Sequence, residues 1–360
     1  MAAQPAFLRA SLRRLLPAVG FVVCLMAATS SYGQTAAATF TNPLLPAGAD
    51  PWSINHEGYY YYTHTTGDNI TLWKTRSLSQ LGQGAGQVVW TPPAQGPNAH
   101  GIWAPELHRI QGKWYLYYSA DAGSNQTHRL WVLENASPDP LQGTWISKGQ
   151  LTDGTNKWAI DGSVFEYRNK LYLVWSGWEG NVNGRQSIYL ARMKTPWQVK
   201  GPRRRISTPQ YAWEKDGDLN DPNNPPHVDV NEGPQILQHG DKIFLIYSAS
   251  GCWTDSYALG MLTATGKNLR RPRSWTKSPR PVFRQDTAAG VYAPGHNSFF
   301  KSPDGTQDWI LYHANSLPGQ GCGNLRTPRM QPFTWTADGI PQFGSPVPAG
   351  TPIARPAGEK

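Results

Sequence analysis

The chain has 360 residues, with 33 lysines and arginines against 24 acids and a formal net charge of +9. Charged residues make up only 16% of it, while 16 Trp, 16 Tyr, 36 Gly and 31 Pro favour short strands and tight turns over helices. No sustained 3.6-residue period appears, and beyond the amino terminus no apolar run is long enough to span a bilayer.

At the amino terminus Arg9, Arg13 and Arg14 precede an apolar run at residues 15–28, followed by Thr29, Ser30, Ser31, Tyr32 and Gly33. The run is short for a transmembrane helix and reads as a secretory signal cleaved near Gly33. Residues 34–360 are then expected to form a single, secreted or periplasmic domain with no membrane attachment. Cleavage removes three arginines and no acid, which lowers the net charge from +9 to +6. The basic clusters Arg203, Arg204, Arg205 and Arg270, Arg271, Arg273 read as solvated loop ends, so no nucleic-acid partner is expected. Two cysteines remain, Cys252 and Cys322, both in Gly-rich stretches. In an oxidising compartment a disulfide between them is expected.

Five segments then repeat one pattern: residues 59–65, 113–120, 170–177, 242–249 and 308–315. Each is a turn, about six aromatic or β-branched residues, and a small polar end. In Trp114-Tyr115-Leu116-Tyr117-Tyr118 both alternating faces are apolar, as in a strand buried on both sides. The spacing leaves room for one four-stranded sheet per repeat, which predicts an all-β, five-bladed β-propeller. The tail, Thr351 to Lys360, reads as loose.

Just before each aromatic strand stands a residue expected on the innermost strand of its blade: Asp50, Glu106, Asp161, Glu232 and His296. Ring symmetry would bring them together at one end of the axis. Acids converging in an aromatic-lined hole suit glycoside hydrolysis, which needs a proton for the leaving oxygen and a base or nucleophile opposite. One carboxyl must stay protonated near neutral pH while the other is ionised, and a third acid can raise the pKa of the donor. These considerations do not say which acid does which.

Ala49-Asp50-Pro51-Trp52, Trp103-Ala104-Pro105-Glu106-Leu107, Ile160-Asp161-Gly162-Ser163, Asn231-Glu232-Gly233-Pro234 and Gly295-His296-Asn297-Ser298, in that order, resemble glycoside hydrolase family 43. The resemblance implies an inverting enzyme on a five-bladed propeller. It makes Asp50 the general base, Glu232 the general acid and Asp161 the residue that tunes and orients the acid. An inverting pair is expected to stand about 6.5–9.5 Å apart. It also makes Arg326 a contact to the innermost sugar and His296 an axial histidine beside a calcium or a water cluster. No cofactor is required for the chemistry; any Ca²⁺ would be structural. Trp52, Trp103, Trp178 and Trp253 are candidates for sugar packing, and Glu106 for a structural role or a sugar-hydroxyl contact.

Within the family the stretches around Trp158, Trp175 and Tyr247 look most like the arabinofuranosidase branch. An exo-acting enzyme releasing terminal α-L-arabinofuranose from arabinan, arabinoxylan or their oligosaccharides, polymers of the plant cell-wall type, is expected, as a monomer. A β-xylosidase or another furanosidase, such as a galactofuranosidase, is the alternative of the same fold, and a non-catalytic sugar-binding lectin the alternative of another class.

Overall fold

In the second strand of each repeat, large apolar side chains point both ways, so each sheet must be covered on both faces. The computed structural model, which describes residues 38–360 together with Ala10 and Ser11, shows how. The expected signal sequence lies outside the described residues. Five four-stranded antiparallel sheets follow one another in chain order, each with its strands in sequence order. The first strands of the five blades are Ala49–His56, His100–Ile110, Ala159–Tyr167, Asn231–His239 and Tyr292–Lys301. The second strands are Tyr59–Thr65, Lys113–Asp121, Lys170–Trp178, Lys242–Ala249 and Asp308–Asn315. This is the five-bladed propeller.

One apolar core lies between each pair of neighbouring blades. Tyr61, Leu72, Trp114, Leu116 and Tyr118 fill the gap between blades 1 and 2. Tyr115 and Tyr117, alternating with them, face the other way, onto Leu173 and Trp175 of blade 3. Val174 and Ile188 meet Leu245 and Leu262 between blades 3 and 4, and Phe244 and Ile246 meet Ile310 and Tyr312 between blades 4 and 5. The period of two therefore serves two interfaces per strand.

The fifth gap closes the ring. Tyr60 and Tyr62 pack there with Phe300, Trp309 and Leu311, and with Phe40 and Ile353 from the two ends of the described chain. Thr39–Phe40 pairs antiparallel with Ile353–Ala354, and the Leu44 amide donates to the Pro328 carbonyl of blade 5 at 2.8 Å. The expected loose tail is thus a correction. It is held by that pairing, by Ser79 Oγ donating to Glu359, and by Ser77 Oγ donating to the Lys360 carbonyl at 3.1 Å. Its apolar Ile353 fills the last interblade core.

Candidate active site

The five first strands break register at one shared place. Pairing with the second strand slips between Ala49 and Trp52, Trp103 and Glu106, Ile160 and Ser163, Glu232 and Gln235, and Gly295 and Ser298. Inside each slip one residue has a positive φ: Asp50 at 57°, Ala104 at 43°, Asp161 at 57°, Gly233 at 54° and His296 at 45°. Such a bulge re-aims side chains at the rim of a sheet, and its left-handed backbone is costly for residues other than glycine.

A recurring hydrogen bond offsets that cost. The amide at the bulge donates to a side chain near the end of the preceding blade's second strand. Ala104 donates to Thr65 Oγ1 at 2.7 Å, Asp161 to Ser119 Oγ at 3.1 Å, His296 to Ser248 Oγ at 2.8 Å and Asp50 to His313 Nδ1 at 3.0 Å. Only the bulge of blade 4 departs from the pattern. Ser176 Oγ donates to the Asn231 carbonyl at 2.9 Å, and the Gly233 amide donates to Asp161 Oδ2 at 2.9 Å.

The register also corrects the expected equivalence of the five residues. Asp50, Asp161 and His296 are equivalent, but their partners in the other blades are Ala104 and Gly233. Glu232 stands one residue before the shared position and Glu106 two after it.

Asp50, Asp161, Glu232 and His296 line one cavity of about 600 Å³. Trp103, Trp158, Trp253 and Arg326 share its wall, as do Cys252 and Cys322. The two cysteines are bonded, with Cα atoms 5.2 Å apart. The disulfide ties the loop after the second strand of blade 4 to the corresponding loop of blade 5. Asp255 ties the same loops again, accepting from the Gly319 amide at 2.9 Å.

The Asp50 carboxylate is surrounded by donors. Oδ1 takes Arg326 Nη1 at 3.1 Å and His296 Nδ1 at 3.1 Å, and Oδ2 takes the Thr65 hydroxyl at 2.6 Å. Burial alone would push this carboxyl up; His296 and Arg326 outweigh it and hold it well below the usual carboxylate range. Burial lowers both histidines, His313 to about 4. His313 Nδ1 accepts the Asp50 amide and is therefore the unprotonated nitrogen of a neutral ring.

Glu232 has the opposite setting. Burial pushes its carboxyl up to about 7, opposed by the Tyr257 hydroxyl, which donates to Oε1 at 2.8 Å; the Asp50 charge pushes it further up and Arg326 pulls it down. Burial also raises Asp161 well above its usual value, reinforced by the charges of Glu232 and Asp50 and opposed by the Gly233 amide. Asp161 holds the peptide next to Glu232, so it can fix where that carboxyl sits.

Of the expected sugar contacts, Trp103 and Trp253 reach the cavity. Trp103 lies flat on His128 at 3.8 Å between centroids, and the Trp253 indole donates to the Asp218 carbonyl at 2.8 Å. Three others do not reach it. Trp52 donates to the Leu107 carbonyl at 3.0 Å and packs on His108, so its ring serves the seam between blades 1 and 2. Trp178 ends the second strand of blade 3. It is 2% exposed and lies behind Trp158, stacked at 4.7 Å, and Trp158 is the ring at the wall. Glu106 binds His108 Nε2 at 2.8 Å and accepts from the Gln235 amide, which leaves it structural.

Calcium beside His296 fits the side chains poorly. His296 Nδ1 is engaged by Asp50, and among the described residues no three His, Cys, Asp or Glu side chains form a metal cluster. A hard cation seeks about six to eight oxygens, and that set is not assembled here.

Tyr257, His313 and Thr65 carry much of the electrostatics and were not singled out by sequence. Thr65 and His313 do belong to the small polar ends of the repeats, which was the available signal.

Five phased bulges presenting two carboxyls of opposite setting are joined by a match in sequence. The pattern of the glycosyl hydrolases family 43 matches residues 40–341. The chain belongs to this family. It is 39% identical to an extracellular exo-α-(1→5)-L-arabinofuranosidase of Streptomyces avermitilis, over 94% of this chain and 71% of that protein. It is 42% identical to a protein of the same description from Streptomyces chartreusis, over 77% of this chain and 83% of that one. The crystal structure of an α-L-arabinofuranosidase from Lactobacillus brevis superposes with a TM-score of 0.79 at 35% identity, covering 87% of this chain and 98% of that chain. As a family 43 member the chain is a glycoside hydrolase, and the cavity at the five bulges is its candidate active site.

Proposed function

We propose that this glycoside hydrolase removes terminal α-L-arabinofuranose from plant polysaccharide or its oligosaccharides, with inversion at the anomeric carbon. The observation that carries the mechanism is the opposite setting of two carboxyls in one cavity. Asp50 is held ionised by Arg326, His296 and Thr65, while burial holds Glu232 protonated up to about 7. Asp50 takes a proton from water as the water attacks the anomeric carbon. Glu232 gives its proton to the departing glycosidic oxygen as that bond breaks. Asp161 positions Glu232 through the Gly233 amide. The chemistry uses protein groups and water alone.

The substrate reading rests on the arabinofuranosidases to which the chain is similar over most of its length, and their described extracellular character supports secretion. Aromatic rings on the cavity wall, Trp103, Trp158 and Trp253, suit the apolar faces of sugar rings. The test is hydrolysis of nitrophenyl α-L-arabinofuranoside against nitrophenyl β-D-xyloside, with proton NMR of the first product formed. Release of β-configured arabinose from the former is expected. Release of xylose alone would overturn the substrate, and α-configured arabinose would overturn inversion.

A further inference from the structure

The chain's positive charge is not spread evenly. Residues 186–213 hold six lysines and arginines and residues 256–285 hold seven, and neither stretch contains an Asp or Glu. The rest of the chain after Gly33 carries more acids than bases. The fold brings the two stretches together. The first forms the outer strands of blade 3, Gln186–Thr195 and Gln198–Ser207, and the second forms the outer half of blade 4. They share the apolar core containing Ile188, Leu190 and Ile206 on one side and Leu262, Leu269 and Trp275 on the other. Arg270 Nη2 donates across the seam to the Pro202 carbonyl at 3.3 Å.

Three of these cations are neutralised: Arg203 by Asp153 at 3.4 Å, Arg205 by Glu179 at 2.6 Å and Lys277 by Glu214 at 2.6 Å. Lys194, Lys200, Arg204, Lys267, Arg271 and Arg273 are exposed and, among the described residues, have no carboxylate within ion-pair reach. The clusters are therefore one surface and not separate loop ends. It also lies apart from the active site. In each antiparallel blade the first strand begins, and the second ends, at the cavity. The turn from third to fourth strand is thus at the opposite face, and Lys194, Lys200, Lys267, Arg271 and Arg273 lie at or next to such turns.

We propose that this rim of blades 3 and 4 binds an acidic polysaccharide, one carrying a carboxylate on successive sugars, and so holds the enzyme on plant material while the cavity remains free. This rests on the reading that the substrate is plant polysaccharide. Uncompensated like charges clustered on one face attract a polyanion and weaken with salt. The surface lacks what other polyanions exploit. None of the exposed large apolar residues, Val88, Ile146, Val182, Leu317 and Leu325, falls in either stretch. There is no fully exposed apolar wedge to enter a membrane, and the tryptophan rings of the two stretches are engaged rather than free to stack on a nucleobase. Trp275 is buried, the partly buried Trp197 lies against a blade core with Lys148 4.1 Å over its ring, and the partly buried Trp213 packs on the core between blades 3 and 4 and donates to the Pro279 carbonyl at 3.0 Å.

The test is affinity electrophoresis of the mature protein in polygalacturonate and in neutral arabinan, at low and high salt. Retardation by polygalacturonate that salt abolishes is expected, with retardation reduced at least about fivefold in Arg204→Glu/Arg271→Glu/Arg273→Glu. Hydrolysis of nitrophenyl α-L-arabinofuranoside should be unchanged in that variant, which also reports its folding. If it does not fold, Lys194→Gln/Lys200→Gln/Lys267→Gln supplies the same comparison with smaller changes. No retardation of the wild type at low salt, or equal retardation of a folded variant, would overturn the surface. Equal retention by double-stranded DNA or by anionic phosphatidylglycerol vesicles would overturn its assignment to uronates. Absence of arabinosidase activity with binding intact would instead overturn the substrate reading and leave this one standing.

Discussion

Replacing Tyr257 with Phe deletes one hydrogen bond to Glu232 and little else. The hydroxyl donates to Glu232 Oε1 at 2.8 Å, while the ring, stacked on His313 at 5.7 Å, is kept. A donor favours the ionised carboxylate over the neutral acid, so it lowers the pKa of Glu232. A hydrogen bond to a charged group is worth about 1.5–3 kcal/mol and one to a neutral group about 0.5–1.5. The difference, about 1–1.5 kcal/mol, corresponds to about one pKa unit. Without the hydroxyl, Glu232 keeps its proton to higher pH. The alkaline limb of kcat/KM should therefore move up by about one pH unit. The assay is the pH profile on an arabinofuranoside whose leaving group needs protonation. An alkaline limb that stays in place, or moves down, would refute the assignment of that limb to Glu232.

Other substitutions probe the remaining parts. Arg326→Ala removes a cation that lowers the Asp50 pKa, so the acidic limb of the same profile should move to higher pH and kcat should fall on the order of tenfold or more. Asp161→Ala should lower kcat by about 100-fold, with partial rescue in Asp161→Asn, whose amide oxygen can still accept the Gly233 N–H; equal rates for the two would argue against positioning. Gly295→Ala places a methyl 2.2 Å from the Tyr257 ring, and should cost about 1–3 kcal/mol in a denaturant titration along with lost activity. Cys252→Ser should lower thermal stability by up to about 4 kcal/mol, since the bond closes a 70-residue separation, and should raise KM because it frees the loop that carries Arg326.

The propeller was legible because each second strand is apolar on both faces, as Tyr60 and Tyr62 against Tyr61 show, and five such strands recur. Asp50 and Asp161 were legible because an acid beside a turn residue recurs at the bulge. Trp52 and Trp178 misled because an aromatic near a motif looks the same whether it faces the cavity or the seam behind it. For Trp52 that choice is set by the register slip beside it, and no single residue type announces the slip. Glu106, two residues past the bulge, takes the structural one of its two expected roles. Tyr257 was invisible because it precedes the third strand of blade 4 and meets Glu232 only once the first three strands of that blade are paired. His313 works across a seam between the last blade and the first, 263 residues from Asp50.

The division of labour between Asp50 and Glu232 is tested most directly by a leaving-group series. Rates of Asp50→Asn, Glu232→Gln and wild type would be measured on aryl α-L-arabinofuranosides of graded phenol acidity. Glu232→Gln should lose most on poor leaving groups and least on good ones, giving a steep dependence, while Asp50→Asn should be inactive throughout the series. A reversed pattern, or wild-type rates in either variant, would contradict the roles given to these two carboxyls.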